Sequence, residues 1–180
     1  MHRRNALMTF SGILATSAFM AAPRRAALAQ SVAESGTPTR LTASGYKEQA
    51  LKAGNFSKQI SQLAVKNATH PKVKQFAEFE VAEQTTVAQV LTEDAHPQPL
   101  ALDPHEAELL GQLEAQSGKD FDAHYLQSQI IGHQQLLNIQ QAYLSGAMAG
   151  QQYEPVAVLA RMVIQMHMTM LQDLRTEAAA

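Results

Sequence analysis

Three polar residues fall on stretches that are otherwise apolar: Glu80, His133 and His167. Glu80 stands among Val73, Phe76, Ala77, Val87 and Leu91, which recur with helical spacing, and Gln84 follows it by one turn. His133 stands in the middle of an arc formed by Leu126, Ile130, Leu136, Leu137 and Leu144. His167 lies at the edge of a third apolar stripe. A carboxylate and neutral imidazoles on facing helices are a common way for a helical bundle to hold a metal ion. The three residues are therefore candidate ligands for zinc or another divalent ion with open coordination positions. The di-iron carboxylate pattern is excluded by residue type. It needs two Glu-x-x-His copies, and Ile130 and Ile164 stand three residues before the two histidines.

The same side chains have a plainer use. A carboxyl group taken out of water is destabilising unless it is paired or protonated, and a histidine beside it can share the proton. Such a buried polar bridge fixes helix register. A third arrangement leaves the face carrying Glu80 or His133 wet, as an oligomer seam. Asp122, Gln129 and Gln140 lie near the centre of the His133 face and fit that arrangement. A copper(I) reading rests on RMVIQMHMTM, where Met162, Met166, Met168 and Met170 cluster around His167. Met162, Met166 and Met170 are four residues apart, which reads as a core stripe of flexible filler. The copper reading requires Met168 to turn toward His167.

Other chemistry is poorly represented. The chain has no cysteine, which excludes thiolate ligands, disulfides and a lipoprotein anchor. It has no G-x-S-x-G turn and no glycine-rich phosphate loop. No catalytic residue is identified, and the cofactor expectation is either none or a divalent metal. His70, His96, His105 and His124 fall on loops, a helix start or an outward face, and are expected to be solvated.

The elements that must position these residues are helices. Phe121–Leu144 reads as the central one, capped by Asp120, with Phe121, Tyr125, Ile139 and Tyr143 widening its apolar arc. A first helix spans Leu41–Asn67 with Tyr46, Ala50, Ala53, Phe56, Ile60, Leu63 and Ala64 inward, and Gly54 weakens its middle. A second opens at Pro71 and runs to Glu93. A short helix starts at Asp103-Pro104-His105-Glu106 and stops before Gly118. The last spans Glu154–Arg175 after breaks at Gly146 and Gly150, with Val156, Leu159, Met162, Val163, Met166, Met170 and Leu174 inward.

Four long amphipathic helices predict an all-α four-helix bundle over residues 41–176. The short links make the first and second helices antiparallel, and likewise the third and fourth. The long second-to-third link holds its own short helix. It is long enough for a ferritin-like crossover along a bundle of about 33 Å.

Residues 1–29 read as an export signal, with Arg3 and Arg4 at its start, an apolar Ala6–Ala22 core and cleavage before Gln30. A cut after Ala22 is disfavoured by Pro23. The paired arginines suit either twin-arginine export or general secretion. Residues 30–40 carry almost no apolar side chain and are expected to be a disordered mature N-terminus. Of 14 basic residues the signal removes four, leaving 10 against 16 acidic residues, a formal charge of −6. That charge argues against nucleic acid or an anionic membrane surface as partner. No later apolar run reaches the roughly 18–20 residues of a membrane span. The protein is therefore expected to be periplasmic or secreted.

Phe121-Asp122, Tyr125 and His133 form an FD-x-x-Y-x(7)-H spacing that continues as IIGHQQLL, and the last helix carries MHMTMLQDL around His167. Over about Tyr46–Leu174 these residues resemble the domain of unknown function 4142 family of exported bacterial proteins, described as outer-membrane proteins with a ferritin-like bundle. The resemblance implies fold and export, with no established activity. It also implies a non-catalytic structural or interaction role in envelope maintenance or stress tolerance, with a protein partner, a second copy or the outer membrane as the associated surface. The family pattern has a Glu in the first helix and an Asp-His pair in the second. Here Ser57 and Glu83-Gln84 stand at those places, and Met162 replaces a proline. Two ligands of that pattern are thus absent.

Overall fold

A computed structural model describes residues 41–146 and 151–179. The expected signal segment 1–29, the expected disordered stretch 30–40 and the break at Gly150 lie outside the described residues. Within them the fold is all-α, with five helices and no strand. They are α1 (Ala43–Asn67), α2 (Pro71–Thr92), α3 (Pro104–Glu114), α4 (Gly118–Ser145) and α5 (Glu154–Ala179). None of the described helices is long and apolar enough to cross a membrane.

Local chemistry accounts for most of the ends. The Thr42 hydroxyl accepts from the Gly45 amide at 3.1 Å and caps α1. Pro71 occupies the first turn of α2, where its missing N–H leaves nothing unpaired. Asp103 and Glu106 close a reciprocal capping box on α3, as the sequence predicts. The start of α4 differs from expectation. Its N-cap is Ser117, not Asp120, which lies in the first helical turn. There an acid suits the positive end of the helix dipole without capping it. The chain enters α4 through Gly118 at φ 60°, a conformation that a side chain would strain.

The contacts between helices set the topology. Ser57 faces Glu80 across α1 and α2, and Tyr46, Ser57 and Ser61 of α1 meet Gln140, Gln129 and Tyr125 of α4 in reversed order. Both pairs are therefore antiparallel. The same holds for α2 and α5, where Lys72 reaches Glu177 and Glu80 faces His167. Helices α2 and α4 then run parallel, with His70 beside Asp122 at one end and Glu80 beside His133 midway. The link 93–117, including α3, must carry the chain back along the molecule. Asn55 holds this link by donating to the Leu100 carbonyl at 2.9 Å.

The interior is apolar toward both ends, apart from Asp122 and Gln140, and polar in the middle. One apolar group gathers Tyr46, Leu91, Leu137, Tyr143 and Ile164, and the other gathers Ile60, Phe76, Phe121, Leu126 and Leu171. Between them each long helix contributes buried polar side chains: Ser57 from α1, Glu80 and Gln84 from α2, Gln129 and His133 from α4, and His167 from α5.

The inward stripes expected for α1, α2 and α4 are largely those observed. The stripe expected for α5 is not. Ala157, Ile164, His167, Leu171 and Leu174 are buried, whereas Met162 is 61 % exposed, Met166 54 %, and Leu159 also faces out. The four-residue methionine spacing explains the difference. Each step of four advances about 40° beyond a full turn, so the series 162, 166, 170, 174 winds from the outer face to the core. The methionines are thus not a core stripe.

Candidate metal centre

Glu80, His133 and His167, the three residues singled out by the sequence, meet in the polar layer. One ligand atom from each lies within 4.8 Å of the others. The separations are 3.2 Å for His133 Nε2 to His167 Nδ1, 3.5 Å for His133 Nε2 to Glu80 Oε2, and 3.4 Å for His167 Nδ1 to Glu80 Oε2. Zinc takes nitrogen and oxygen ligands at about 2.0–2.2 Å, so the edges of its tetrahedron are about 3.3–3.5 Å. The triangle formed by these atoms has nearly those edges.

Each member is oriented by a neighbour. His133 Nδ1 lies 2.8 Å from the Gln129 carbonyl oxygen, which can only accept, so Nδ1 carries the proton. The lone pair of the neutral ring is then on Nε2, facing the cluster. A backbone carbonyl behind the ligating ring is a common outer partner in metal sites. Glu80 Oε1 is 2.8 Å from the Ser57 hydroxyl and 2.9 Å from Gln84 Nε2, which donates to it. Glu80 Oε2 is buried without a hydrogen-bond partner, at ion-pair distance from one nitrogen of each ring. Phe76 lies under both imidazoles, with its ring centroid 5.2 Å from that of His167 and 6.0 Å from that of His133.

The electrostatics match the geometry. Burial pushes the Glu80 carboxyl up, but His133, His167 and the Ser57 hydroxyl more than offset this and hold it well below the usual carboxylate range. Burial pushes His167 down, and Glu80 with Glu83 outweighs it, so the imidazole is raised. Glu83 Oε2 stands 3.5 Å from His167 Nδ1. Burial raises Glu83, and the neighbouring Glu80 charge raises it further. Both raised groups favour a proton held between His167 and the carboxylates, which is the polar bridge.

The other residues of interest serve the scaffold. Asp122 accepts from the Thr69 amide at 3.0 Å, the Thr69 hydroxyl at 2.6 Å and the His70 amide at 2.8 Å, which clamps the α1–α2 turn onto α4. Tyr125 pairs with Ser61 at 2.9 Å, and Gln140 accepts from Tyr46 at 2.8 Å. The His133 face is therefore covered by other described residues of the chain, which does not favour the wet-seam option. His96, His105 and His124 are exposed as expected, whereas His70 is half-buried and its Nδ1 is enclosed without a partner. Met168 packs with the Tyr46–Ile164 group and Met170 with the other, so the methionines do not gather around His167.

Sequence reasoning passed over Ser57 as part of the site, although the signal is present. It continues the spacing 46, 50, 53, 57, 60, 64 along α1. Its hydroxyl also lies 2.9 Å from Gln129 Oε1, so one proton serves two acceptors. Glu83 was noticed only as a departure from the family pattern.

No curated protein and no solved structure matches the chain. Residues 27–175 match the family described as domain of unknown function (DUF4142), a span that contains all three candidate ligands. The FD-x-x-Y-x(7)-H spacing, the buried clamp that it builds and this match agree: the chain belongs to the DUF4142 family.

Proposed function

We propose that the protein is an exported helical bundle of the cell envelope that binds one divalent transition-metal ion, with Glu80, His133 and His167 as ligands. The observation that carries this reading is Glu80 Oε2, a buried oxygen without a hydrogen-bond partner that completes a triangle with two imidazole nitrogens. Leaving such an oxygen unpaired is costly, and an ion satisfies it together with the His133 lone pair. Nitrogen and oxygen donors without sulfur suit zinc and its neighbours among the divalent metals better than copper(I). The parallel α2 and α4 with a crossover between them support a ferritin-like arrangement. The signal-like N-terminus supports export to the periplasm, by cleavage before Gln30. The role is non-catalytic, in envelope maintenance or stress tolerance, and a metal-dependent oxidoreductase is the alternative if the ion keeps an open position.

The second reading, a buried polar bridge, is favoured by one observation: the 3.2 Å contact between the two rings, which is itself a good hydrogen-bond length. Elemental analysis separates the two. The protein is purified without chelators beside a His133→Ala/His167→Ala variant. Near-stoichiometric metal in the parent and none in the variant supports the metal site. A parent that remains empty when offered zinc at neutral pH leaves the bridge as the function of the cluster. Copper retained by the variant would instead support the methionine reading.

A further inference from the structure

Three ligands leave a tetrahedral ion one position short, and the surroundings of the triangle show which side is open. Side-chain exposure rises in one direction, from 0 % at Glu80 and 1 % at His133 to 7 % at His167 and 21 % at Glu83. The open side thus faces the seam between α2 and α5, which pack less closely than the other neighbouring long helices. Glu83 stands in that seam one turn beyond Glu80. Its Oε2 is 3.5 Å from His167 Nδ1 and makes no such contact with His133, so it stands beside the triangle and reaches the fourth position only by turning its side chain inward. It also lines a groove of about 250 Å³ with Thr86, Val87, Val90, Leu159 and Val163, and it is the one charged residue among the described residues lining it.

On the reading that Glu80, His133 and His167 bind a divalent ion, we infer that Glu83, at the α2–α5 seam, supplies an exchangeable fourth ligand through which the ion is loaded and released. Structural zinc sites are closed by four fixed ligands. Here Glu80 and His133 are held by buried partners outside the triangle, while Glu83 is a long carboxylate at a solvent boundary with no partner fixing it except His167. It can replace one water of a hydrated cation at that boundary and swing inward with it. The centre is then a loading site for a free divalent cation.

Cobalt(II) tests this, because its visible absorption reports coordination number and ligand type. The protein and its Glu83→Gln variant are loaded with cobalt(II), and release to a chelator is followed. Glu83 is partly exposed and glutamine has the same shape, so the variant keeps the fold. We expect the variant to take up one ion per chain, to show an altered spectrum with water in place of the carboxylate, and to release the ion at least about tenfold faster. Glu83→Asp should recover part of the difference. Equal spectra and equal release rates for parent and Glu83→Gln would overturn the inference while leaving the three-ligand site standing. A folded parent that takes up no cobalt would overturn both.

Discussion

Gly54 of α1 and Gln84 of α2 occupy each other's space: a Cβ on residue 54 would collide with the Gln84 amide oxygen. The glycine that the sequence marks as a weak point in α1 is therefore a seat. It lets Gln84 lie flat between the helices and donate to Glu80 Oε1 at 2.9 Å.

Gly54→Ala gains about 1 kcal/mol of helix propensity but displaces a buried amide, which costs about 1–3 kcal/mol. The expected result is a small net destabilisation together with roughly tenfold weaker metal binding, since Glu80 loses an orienting partner. Urea unfolding of Gly54→Ala, Gln84→Ala and the double variant should show a coupling of at least about 0.5 kcal/mol. Strict additivity would disprove the seating relationship.

The bridge and the metal site respond oppositely to pH. Glu80 is lowered from 4.5, so its contribution is present above that value and lost as pH falls. His167 is raised from 6.5 and Glu83 from 4.5, so theirs are present at low pH and lost as pH rises. Chelator-treated protein should thus lose thermal stability as pH rises from 6.5 through the raised His167 value, by roughly 2–4 °C for each kcal/mol. Zinc-loaded protein should become more stable over the same range, because imidazolium competes with the ion. Parallel melting curves for the two forms would exclude a role for these imidazoles in binding.

Replacing the cluster by apolar residues tests what it is for. Glu80→Met/His133→Leu/His167→Leu should bind no metal, and it should unfold at equal or higher urea than the chelated parent, by up to about 4 kcal/mol. A large loss of stability would mean that the polar bridge itself holds the helices.

Asp122→Ala should cost about 2–4 kcal/mol, because it strands the Thr69 and His70 amides in a part-buried turn. Metal stoichiometry in the folded variant should be unchanged, measured by titration well below its unfolding midpoint. That outcome would separate Asp122, as a clamp, from the ligands.

Met162→Gln/Met166→Gln should change stability by no more than about 0.5 kcal/mol, as expected for exposed positions. A core stripe would lose several times that amount on chemical unfolding.

Much of the arrangement was readable beforehand. Pro71, the Asp103–Glu106 box and the stripes of α1, α2 and α4 state their structure locally, and Glu80 and His133 stand out because each interrupts an apolar face. The last helix was misread because apolar residues cover most of its circumference. Periodicity then offers two overlapping stripes, and packing against α4 decides between them. Taking His167 as central rather than marginal would have selected the correct face. Asp122 and Gln140 leave a wet seam open as one option in the sequence because their partners, Thr69, His70 and Tyr46, lie more than 50 residues away in the chain. Only the folded crossover brings them together.

The polar layer draws its acids from one hairpin, α1–α2, and both its imidazoles from the other, α4–α5. Neither hairpin holds a site, and the two halves are chemically unlike, so the layer works as a matching key between them. A hairpin docked one turn out of step separates the Glu80 carboxylate from both imidazoles. The correct docking is thus chosen by proton and ion chemistry as well as by shape, and an ion once seated ties the two hairpins as a removable cross-link.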